Sequence, residues 1–320
     1  MTSQVMTQPE NQIKVPPSQW SEKVPDLQIA WDSTSLKDLE SCPYLYYLHI
    51  IRGWVPKRRP PALHFGIAYH RGIEVYERGK AKGLDFNDAV IGGIRSALRE
   101  WGDFDSDDNR RTKFTLIRGL VWYADKYLMD PAKTVILRSG EPAVELPFRV
   151  PLPWLTPDGD PYLACGHLDR LVQLGDTIRV SDAKTTVSTL STTYFARYDL
   201  DVQMDLYDFF GRTIYPDENM IAGILIDGMQ TAVNFSRFGR YFSDRRKGQR
   251  DEWIEQLGKW ISFAEYYAKT QVWPMNKTSC SKYGGCRFCE VCSKEPSVRH
   301  VVLESDFMIE HWNPLRDRGE

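Results

Sequence analysis

The fold is decided by residues 166–184, which read GHLDRLVQLGDTIRVSDAK. Two apolar-rich runs lie on either side of Gly175-Asp176, and a two-residue connection with glycine first is typical of a type II′ hairpin turn. The pattern therefore predicts an antiparallel β-hairpin. In this hairpin Leu174 faces Thr177, and that pair fixes the register of both strands.

Counting outward from the turn brings three ionisable side chains together. Asp169 lies directly opposite Asp182, and Lys184 shares the face of Asp182 because side chains alternate along a strand. Opposed strand residues have Cβ atoms about 4.5–5.5 Å apart, a distance at which like charges destabilise the pair. A divalent cation bound by both carboxylates would remove this repulsion.

Two carboxylates and an amine around one metal ion suggest hydrolysis of phosphodiester bonds. The alternative is a surface hairpin whose acids form ion pairs with Arg170 or Lys184. We expect Arg170 on the opposite face of the strand, which disfavours the alternative.

Length and composition describe a globular protein without an evident membrane or export segment. The chain has 320 residues, of which 42% are hydrophobic, and a formal net charge of −2. It shows no apolar run of about eighteen residues and no basic flank before an apolar block, so we expect no membrane span and no secretory signal. Phosphate attraction acts over about 10 Å, so local basic clusters can bind nucleic acid even at this net charge. The candidates are Lys57-Arg58-Arg59, Arg110-Arg111 and Arg245-Arg246-Lys247, and the alternative for each is a solvated loop.

The spacing of apolar residues predicts helices at both ends and a β-rich centre. The predicted helices cover residues 65–78, 86–101, 113–128, 191–214 and a last long segment from Trp253 to Tyr267. The predicted strands cover residues 144–150, the two strands of the hairpin, residues 220–226 and residues 233–242. This order predicts an α/β fold with a mixed sheet and added helices.

Composition also sets the predicted domain boundaries. Residues 1–27 are rich in Gln, Pro, Ser and Thr and are expected to form a mobile tail. A single domain is expected over residues 28–298, followed by a C-terminal extension over residues 299–320. Within the domain we expect an N-terminal helical part over 28–140, a catalytic core over 141–245, and a C-terminal helix with a cysteine cluster over 246–298.

Four of the six cysteines lie near the C-terminus with the spacing C-x5-C-x2-C-x2-C, at Cys280, Cys286, Cys289 and Cys292. Without an export signal the thiols are expected to be reduced, and clustered cysteines then indicate a metal rather than disulfides. The last three resemble a run that binds iron and sulfide in ferredoxins. A structural Zn²⁺ held by all four is the alternative.

Five motifs occur in an order seen in a known nuclease family. They are Cys42-Pro43, Gly66-Ile67-Ala68-Tyr69-His70, Gly166-His167-Leu168-Asp169, Asp182-Ala183-Lys184-Thr185 and Gln203-Met204-Asp205-Leu206-Tyr207. Each motif alone is weak, but together with the late cysteines they span residues 42–292. Over this span the chain resembles the PD-(D/E)XK superfamily, specifically its RecB-like branch. That branch includes the nuclease domains of bacterial helicase–nuclease complexes, CRISPR-adaptation exonucleases and phage exonucleases.

The resemblance implies a restriction-endonuclease-like mixed sheet flanked by helices, with a helical iron–sulfur subdomain formed by the N- and C-terminal segments. It implies that Mg²⁺ or Mn²⁺ is bound by His70, Asp169, Asp182 and the backbone carbonyl of Ala183, as hard oxygen ligands would favour. Lys184 would orient the attacking water, help to deprotonate it, or stabilise the developing charge.

Four further residues gain a role from the resemblance. Gln203 and Tyr207, four residues apart on the predicted helix, would be catalytic: the Gln would bond the water, the phosphate or Lys184, and the Tyr would stack on a base or bond a phosphate. Without the resemblance they read as a boundary pair on a half-buried helix. Glu74, one turn after His70, would hold the imidazole or a water, and Glu145 would be an outer metal ligand.

Related sequences hold a [4Fe–4S] cluster with one early and three late cysteines. This implies Cys42, Cys280, Cys286 and Cys292 as ligands of a structural cluster, with Cys289 as a substitute for Cys280. Cys165 is expected to be a small core residue.

The resemblance predicts a metal-dependent deoxyribonuclease, an exonuclease acting on DNA ends or single strands in recombination, repair, phage or CRISPR-related processing. The sequence lacks a G-x-x-x-x-G-K-[ST] loop. We therefore expect a helicase, recombinase or CRISPR-adaptation partner to supply accessible ends in the cytoplasm of a bacterial, archaeal or phage-infected cell. The alternatives are a non-catalytic DNA-binding or scaffold module of the same fold and a structural zinc-binding protein. Cleavage polarity, endo against exo action, DNA against RNA preference, pathway and oligomeric state are open at this level.

Overall fold

The structure is a computed structural model that describes residues 18–214, 221–281 and 285–316. Two compact units share these residues. The first unit contains residues 59–146, 167–214 and 221–246, and the second contains residues 18–58, 147–166, 247–281 and 285–316. In the part of the chain that is described, no helix is long and apolar enough to cross a membrane.

The helices follow one another as α1 (Ser33–Ser41), α2 (Pro43–Tyr46), α3 (Pro61–Ala81), α4 (Phe86–Trp101), α5 (Lys113–Lys126), α6 (Thr192–Ala196), α7 (Val202–Ile214), α8 (Lys247–Thr270), α9 (Cys289–Ser293) and α10 (Arg299–Asp306). The strands are β1 (Ala30–Trp31), β2 (Trp54–Pro56), β3 (Lys133–Thr134), β4 (Val144–Leu155), β5 (Pro161–Leu174), β6 (Thr177–Thr186), β7 (Ile221–Thr231), β8 (Ser236–Ser243) and β9 (Phe307–Ile309). A π-helical turn over Tyr47–Ile51 follows α2.

The predicted hairpin is confirmed as β5 and β6, which pair antiparallel with Leu174 opposite Thr177. Gly175 adopts a φ of 59°, the left-handed region that the first central position of the turn requires. β6 then pairs in parallel with β7, and β7 pairs antiparallel with β8. The first unit is therefore built on a mixed sheet, as the sequence predicts.

Helices cover both faces of this sheet. On one face α3, α4 and α5 form an apolar core around Tyr69, Leu120 and Met229, against which Ala183 of β6 packs. On the other face α7 lies so close to β6 that a Cβ on Gly211 would come within 2.8 Å of Val180 Cγ2. Because side chains three positions apart point to opposite faces of a strand, β6 is enclosed from both sides. The mixed sheet flanked by helices agrees with a restriction-endonuclease-like fold.

The predicted helix over residues 191–214 is wrong as a single element. It is divided into α6, a 3-10 turn over Arg197–Leu200, and α7. Asp201 ends the turn, and its Oδ1 accepts a hydrogen bond from the backbone N–H of Gln203, so it begins α7 anew. The backbone of Asp201 is extended, with φ −96° and ψ 126°, and Arg245 Nη2 donates to the carbonyl of Tyr198 in the preceding turn.

The second unit packs its helices around a separate core. The indole of Trp31 on β1 stacks on Tyr46 with ring centroids 5.7 Å apart. β1 runs parallel to the first half of β5, and β2 pairs antiparallel with β9. The first residues of the predicted C-terminal extension form α10 and β9.

Part of the predicted mobile tail is folded. Leu27 is fully buried, and Trp20 forms an antiparallel bridge with Gln28. The rest of that tail, residues 1–17, lies outside the described residues, as does Met220 at the start of the predicted strand over 220–226.

Candidate active site

The β5–β6 ladder ends at the pair Arg170–Ser181, one step before the two aspartates meet. Beyond this point the carboxylate of Asp169 accepts a hydrogen bond from the backbone N–H of Ala183 at 3.2 Å. A side-chain oxygen thus takes the position that a strand carbonyl occupies elsewhere in the ladder. The end of the ladder fixes the Asp169 carboxylate beside β6.

Asp182, which is fully buried, and Lys184, which is partly buried, form an ion pair on β6. Lys184 Nζ donates to Asp182 Oδ1 at 2.9 Å and lies 2.7 Å from Oδ2. Oδ2 is buried, and no described residue gives it a hydrogen bond of acceptable geometry. The alternative hypothesis of a surface hairpin also predicts that one of its acids pairs with Lys184. That contact is present, but the acid, Asp182, is buried.

Burial and neighbouring charges shift the pKa values of Asp182 and Lys184. Burial raises the pKa of Asp182 to about 6, and the charge of Asp169 adds to the rise while Lys184 opposes it. For Lys184, burial disfavours the ammonium, but the charges of Asp182 and Asp169 outweigh burial and raise its pKa. Lys184 is therefore a cation at neutral pH.

Gln203 and Tyr207 extend this contact along α7. Lys184 Nζ donates to Gln203 Oε1 at 2.8 Å, and Gln203 Nε2 donates to Tyr207 Oη at 2.9 Å. The expected contact between Gln203 and Lys184 is thus present. Tyr207 is only 5% exposed, so its ring has no surface on which a base could stack. Its hydroxyl orients Gln203 instead.

His70 reaches the hairpin from α3. Its Nδ1 lies 3.1 Å from Asp169 Oδ2. Burial disfavours the imidazolium, but the charge and hydrogen bond of Asp169 outweigh burial and raise the pKa of His70. The side chains of Asp182, Lys184 and Gln203 thus form one hydrogen-bonded group, and His70 and Asp169 form a second, which is joined to β6 through the backbone N–H of Ala183.

Glu74 and Glu145 line a cavity of about 20 Å³ together with His70 and Asp169. The carboxylate of Glu74 forms ion pairs with Arg71 at 2.6 Å and with Arg78 at 3.4 Å. The acid thus pairs with arginines of its own helix. Its predicted contact with the imidazole of His70 or with a water stays a prediction. Glu145 has a φ of 51°, a left-handed conformation that is uncommon for a residue with a side chain.

A buried network behind the hairpin was not predicted. Arg170 Nη1 lies 2.5 Å from Glu77 Oε2, with both side chains buried. Arg240 bridges Asp130 at 2.6 Å and Asp227 at 3.0 Å. Arg170 thus points away from Asp182, as expected from strand alternation. The sequence does contain one indication of this network. The spacing of His70, Glu74 and Glu77 places all three on one face of a helix.

The chain is matched by a family model over residues 31–293, described as the PD-(D/E)XK nuclease superfamily. The match covers more than half of the chain. The chain belongs to the PD-(D/E)XK nuclease superfamily. Its members are hydrolases acting on phosphodiester bonds, typically with Mg²⁺ or Mn²⁺, so the substrate class is nucleic acid.

The remaining comparisons add little to this family assignment. No curated protein matches the chain. Among solved structures, the crystal structure of SSO0001 is similar at a TM-score of 0.29 and 12% identity, over 81% of this chain and 95% of that chain. A similarity this weak supports no argument about fold or function.

The donor set at the hairpin suits the metal ions of the superfamily, although it is not assembled as a metal site. Within the described ranges no group of three or more His, Cys, Asp and Glu side chains is arranged to hold a metal ion. Asp182 Oδ2 is nevertheless a buried oxygen whose 2.7 Å contact with Lys184 Nζ lacks hydrogen-bond geometry, and the carboxylate of Asp169 lies beside the same strand. Hard oxygen ligands of this kind fit Mg²⁺ or Mn²⁺.

The cysteines form a separate group in the second unit. A cavity of about 430 Å³ is lined by Cys42, Cys280, Cys286, Cys289 and Cys292. Burial raises the pKa of Cys292 to about 11, and the charges of Cys286, Cys42 and Cys280 add to the rise. Cys289 is exposed, whereas the other four are partly buried. The early cysteine and three late ones are thus brought to one place, and Cys165 is buried as expected.

Proposed function

We propose that this superfamily member is an exonuclease of the RecB-like branch that hydrolyses DNA at ends or in single strands. The observation that carries the proposal is the connected group in which Lys184 bonds both Asp182 and Gln203 beside Asp169. Lys184 and Gln203 come from two different motifs and touch, and Asp169 of a third motif bonds the backbone N–H of Ala183 between Asp182 and Lys184.

Asp169, Asp182, the carbonyl of Ala183 and His70 are the residues that would hold Mg²⁺ or Mn²⁺. The N–H and C=O of one strand residue point to the same neighbour, so the carbonyl of Ala183 is directed toward the side on which Asp169 lies. A bound ion would polarise a phosphoryl oxygen and lower the pKa of a bound water.

Lys184 acts as a cation rather than as a base. Its raised pKa keeps the amine protonated at neutral pH, so it donates hydrogen bonds and stabilises negative charge that develops on the phosphate. Gln203 holds the amine from α7, and Tyr207 holds the amide of Gln203 in turn. This chain of contacts fixes the ammonium relative to the two carboxylates before a substrate arrives.

We further propose a structural [4Fe–4S] cluster in the second unit, bound by Cys42, Cys280, Cys286 and Cys292. The partly buried state of these four thiols and the exposed position of Cys289 support this ligand set over one that includes Cys289. Thiolates are the ligands that iron–sulfur clusters use. A structural Zn²⁺ held by the four late cysteines, Cys280, Cys286, Cys289 and Cys292, is the competing assignment.

The proposal is tested by digestion of end-labelled DNA that is single- or double-stranded, linear or circular, with Mg²⁺, Mn²⁺ or EDTA. We expect release of short products from linear single strands, resistance of circular DNA, and no cleavage in EDTA. Cleavage of circular DNA as fast as linear DNA would show an endonuclease, and faster cleavage of matched RNA would overturn the assignment of DNA as the substrate. A helicase, recombinase or CRISPR-adaptation partner would supply the single-stranded ends.

A further inference from the structure

A basic and aromatic surface lies on α5 of the first unit, outside the candidate active site. The whole chain has a net charge of −2. Residues 110–126 differ from it, because they carry one acid, Asp125, and five cations, Arg110, Arg111, Lys113, Arg118 and Lys126. Asp108 neutralises part of this charge by pairing with Arg110 and Arg111. The remaining cations are on α5 itself.

Large apolar side chains are exposed between these cations. Phe114 is 70% exposed, Val121 39% and Trp122 43%. Single exposed apolar residues are normal on a protein surface, whereas a contiguous exposed apolar patch marks an interaction site. The α5 surface is defined here by Phe114, Arg118, Trp122, Lys126 and Arg237.

Arg118 holds the two rings in place. Its guanidinium lies 5.8 Å from the ring centre of Phe114 and 5.5 Å from that of Trp122. The same group donates hydrogen bonds to the carbonyls of Ala232, Val233 and Phe235 in the β7–β8 connection. The guanidinium is thus bound to the fold, and the rings flank it as a preorganised platform.

A groove of about 470 Å³ lies beside Trp122. Its lining includes Lys126, Arg237 and Phe238 together with one carboxylate, Asp125. Lys126 and Arg237 are both exposed. An aromatic platform next to cations is the arrangement with which proteins bind single strands, because every base has a face that stacks and every nucleotide has a phosphate.

We propose that the α5 surface binds single-stranded nucleic acid, with bases stacked on Phe114 and Trp122 and phosphates at Lys126 and Arg237. This inference rests on the proposed function, because it extends the path of the substrate away from the hairpin. α5 also carries Tyr123 on its buried side, where the hydroxyl donates to Asp227 at 2.9 Å in the network behind the hairpin. One rigid helix therefore connects the α5 surface with the surroundings of the candidate active site.

The test measures binding of fluorescein-labelled oligothymidylates of about 30 and about 6 nucleotides, and of a duplex of about 30 base pairs, in EDTA. The double variant Phe114→Ala/Trp122→Ala should bind the longer single strand about tenfold more weakly or worse. The matched control is Phe263→Ala/Tyr266→Ala, two exposed rings on α8 of the second unit, which should bind within about twofold of wild type. Arg237→Ala should reduce the slope of log affinity against log salt by about 0.7, the value for one phosphate contact on a single strand.

Photocrosslinking of wild-type protein to 4-thiothymidine-substituted single strands provides a measurement that needs no variant. Adducts on peptides covering residues 113–126 or 235–238 are expected. Unchanged affinity of the ring variant, or adducts exclusively elsewhere, would overturn the proposal. The proposal would also be overturned if the ring variant lost self-association or duplex binding but kept its affinity for single strands. The surface would then bind a second protein chain or a duplex.

The two proposals fail separately. If the protein cleaves DNA but the ring variant binds like wild type, the α5 surface is wrong and the proposed function stands. If the protein cleaves no nucleic acid but single strands still crosslink to residues 113–126, the proposed function fails and the surface stands as a binding site.

Discussion

The carboxylate of Asp169 accepts a hydrogen bond from the backbone N–H of Ala183 at the point where the β5–β6 ladder ends. This contact gives Asp169 a structural task in addition to its proposed role at the metal. The N–H of Ala183 is partly buried, and a donor removed from water is costly without a partner, so the carboxylate satisfies a group that the end of the ladder would otherwise leave unpaired.

The first prediction separates these two tasks. Asp169→Ala should lower the free energy of unfolding by about 1–3 kcal/mol, because it leaves the N–H of Ala183 unsatisfied. Asp169→Asn should lower it by less, because the amide oxygen can accept the same hydrogen bond. Urea unfolding followed by circular dichroism measures both values, and equal losses for the two variants would show that the hydrogen bond contributes nothing.

The second prediction concerns the buried pair of Glu77 and Arg170. Either Glu77→Leu or Arg170→Met leaves a buried charge without its partner and should cost about 3–5 kcal/mol, whereas the double variant should cost less than either single change. The exposed pair Lys247–Asp251 is the matched control, and its removal should cost less than about 1 kcal/mol. A double-mutant cycle in urea gives the coupling energy. If the double variant loses the sum of the single losses, the two side chains do not depend on each other.

The third prediction is a dependence of stability on pH in the metal-free protein. The pKa of Asp182 is raised from 3.8 to about 6, chiefly by burial, so the folded state binds the proton more tightly than the unfolded state. Proton binding by Asp182 therefore stabilises the fold fully below about pH 4, and this stabilisation is lost as the pH rises through about 6. In EDTA, the Tm of wild type relative to that of Asp182→Asn should fall between about pH 4 and pH 7. A relative Tm that rises with pH would mean that Lys184 dominates and lowers the pKa of Asp182.

The fourth prediction distinguishes the cysteines. Cys42→Ser and Cys292→Ser should lose iron and thermal stability together, whereas Cys289→Ser should keep both, because Cys289 is exposed. The bound metal is measured by iron and zinc analysis after anaerobic purification. An iron–sulfur cluster also gives visible absorption that bleaches with dithionite. Colourless protein with stoichiometric zinc would refute the iron–sulfur assignment, and loss of iron in Cys289→Ser would refute the ligand set.

The hairpin could be predicted from the sequence because its determinants are local. Gly175-Asp176 specifies the turn, and the register counted from it holds as far as the pair Arg170–Ser181. The predicted pairing of Asp169 with Asp182 fails one step later, where the carboxylate of Asp169 bonds the backbone N–H of Ala183. The contact between Lys184 and Gln203 was foreseen from a resemblance to known nucleases. Spacing alone predicts only that Gln203 lies at the boundary of a half-buried helix.

The remaining features depend on contacts between distant parts of the chain. Residues 191–214 favour one continuous helix by local pattern, and the break between α6 and α7 occurs in a turn whose Tyr198 carbonyl is bound by the distant Arg245. Tertiary contacts of this kind override local preference. The pairing of Glu77 with Arg170 is equally non-local, since helix spacing shows that Glu77 faces the sheet but not which strand residue it meets.

The account is tested most directly by cleavage of end-labelled linear single-stranded DNA in Mg²⁺ and in Mn²⁺ by wild type, Asp182→Asn and the control Asp251→Asn. Asp182 is fully buried beside Lys184, whereas Asp251 lies in an exposed pair on α8. We expect wild type and Asp251→Asn to cleave at rates within about twofold, and Asp182→Asn to lose about a thousandfold or more while remaining folded. Folded Asp182→Asn protein that cleaves as fast as wild type would contradict the assignment of the hairpin as the active site.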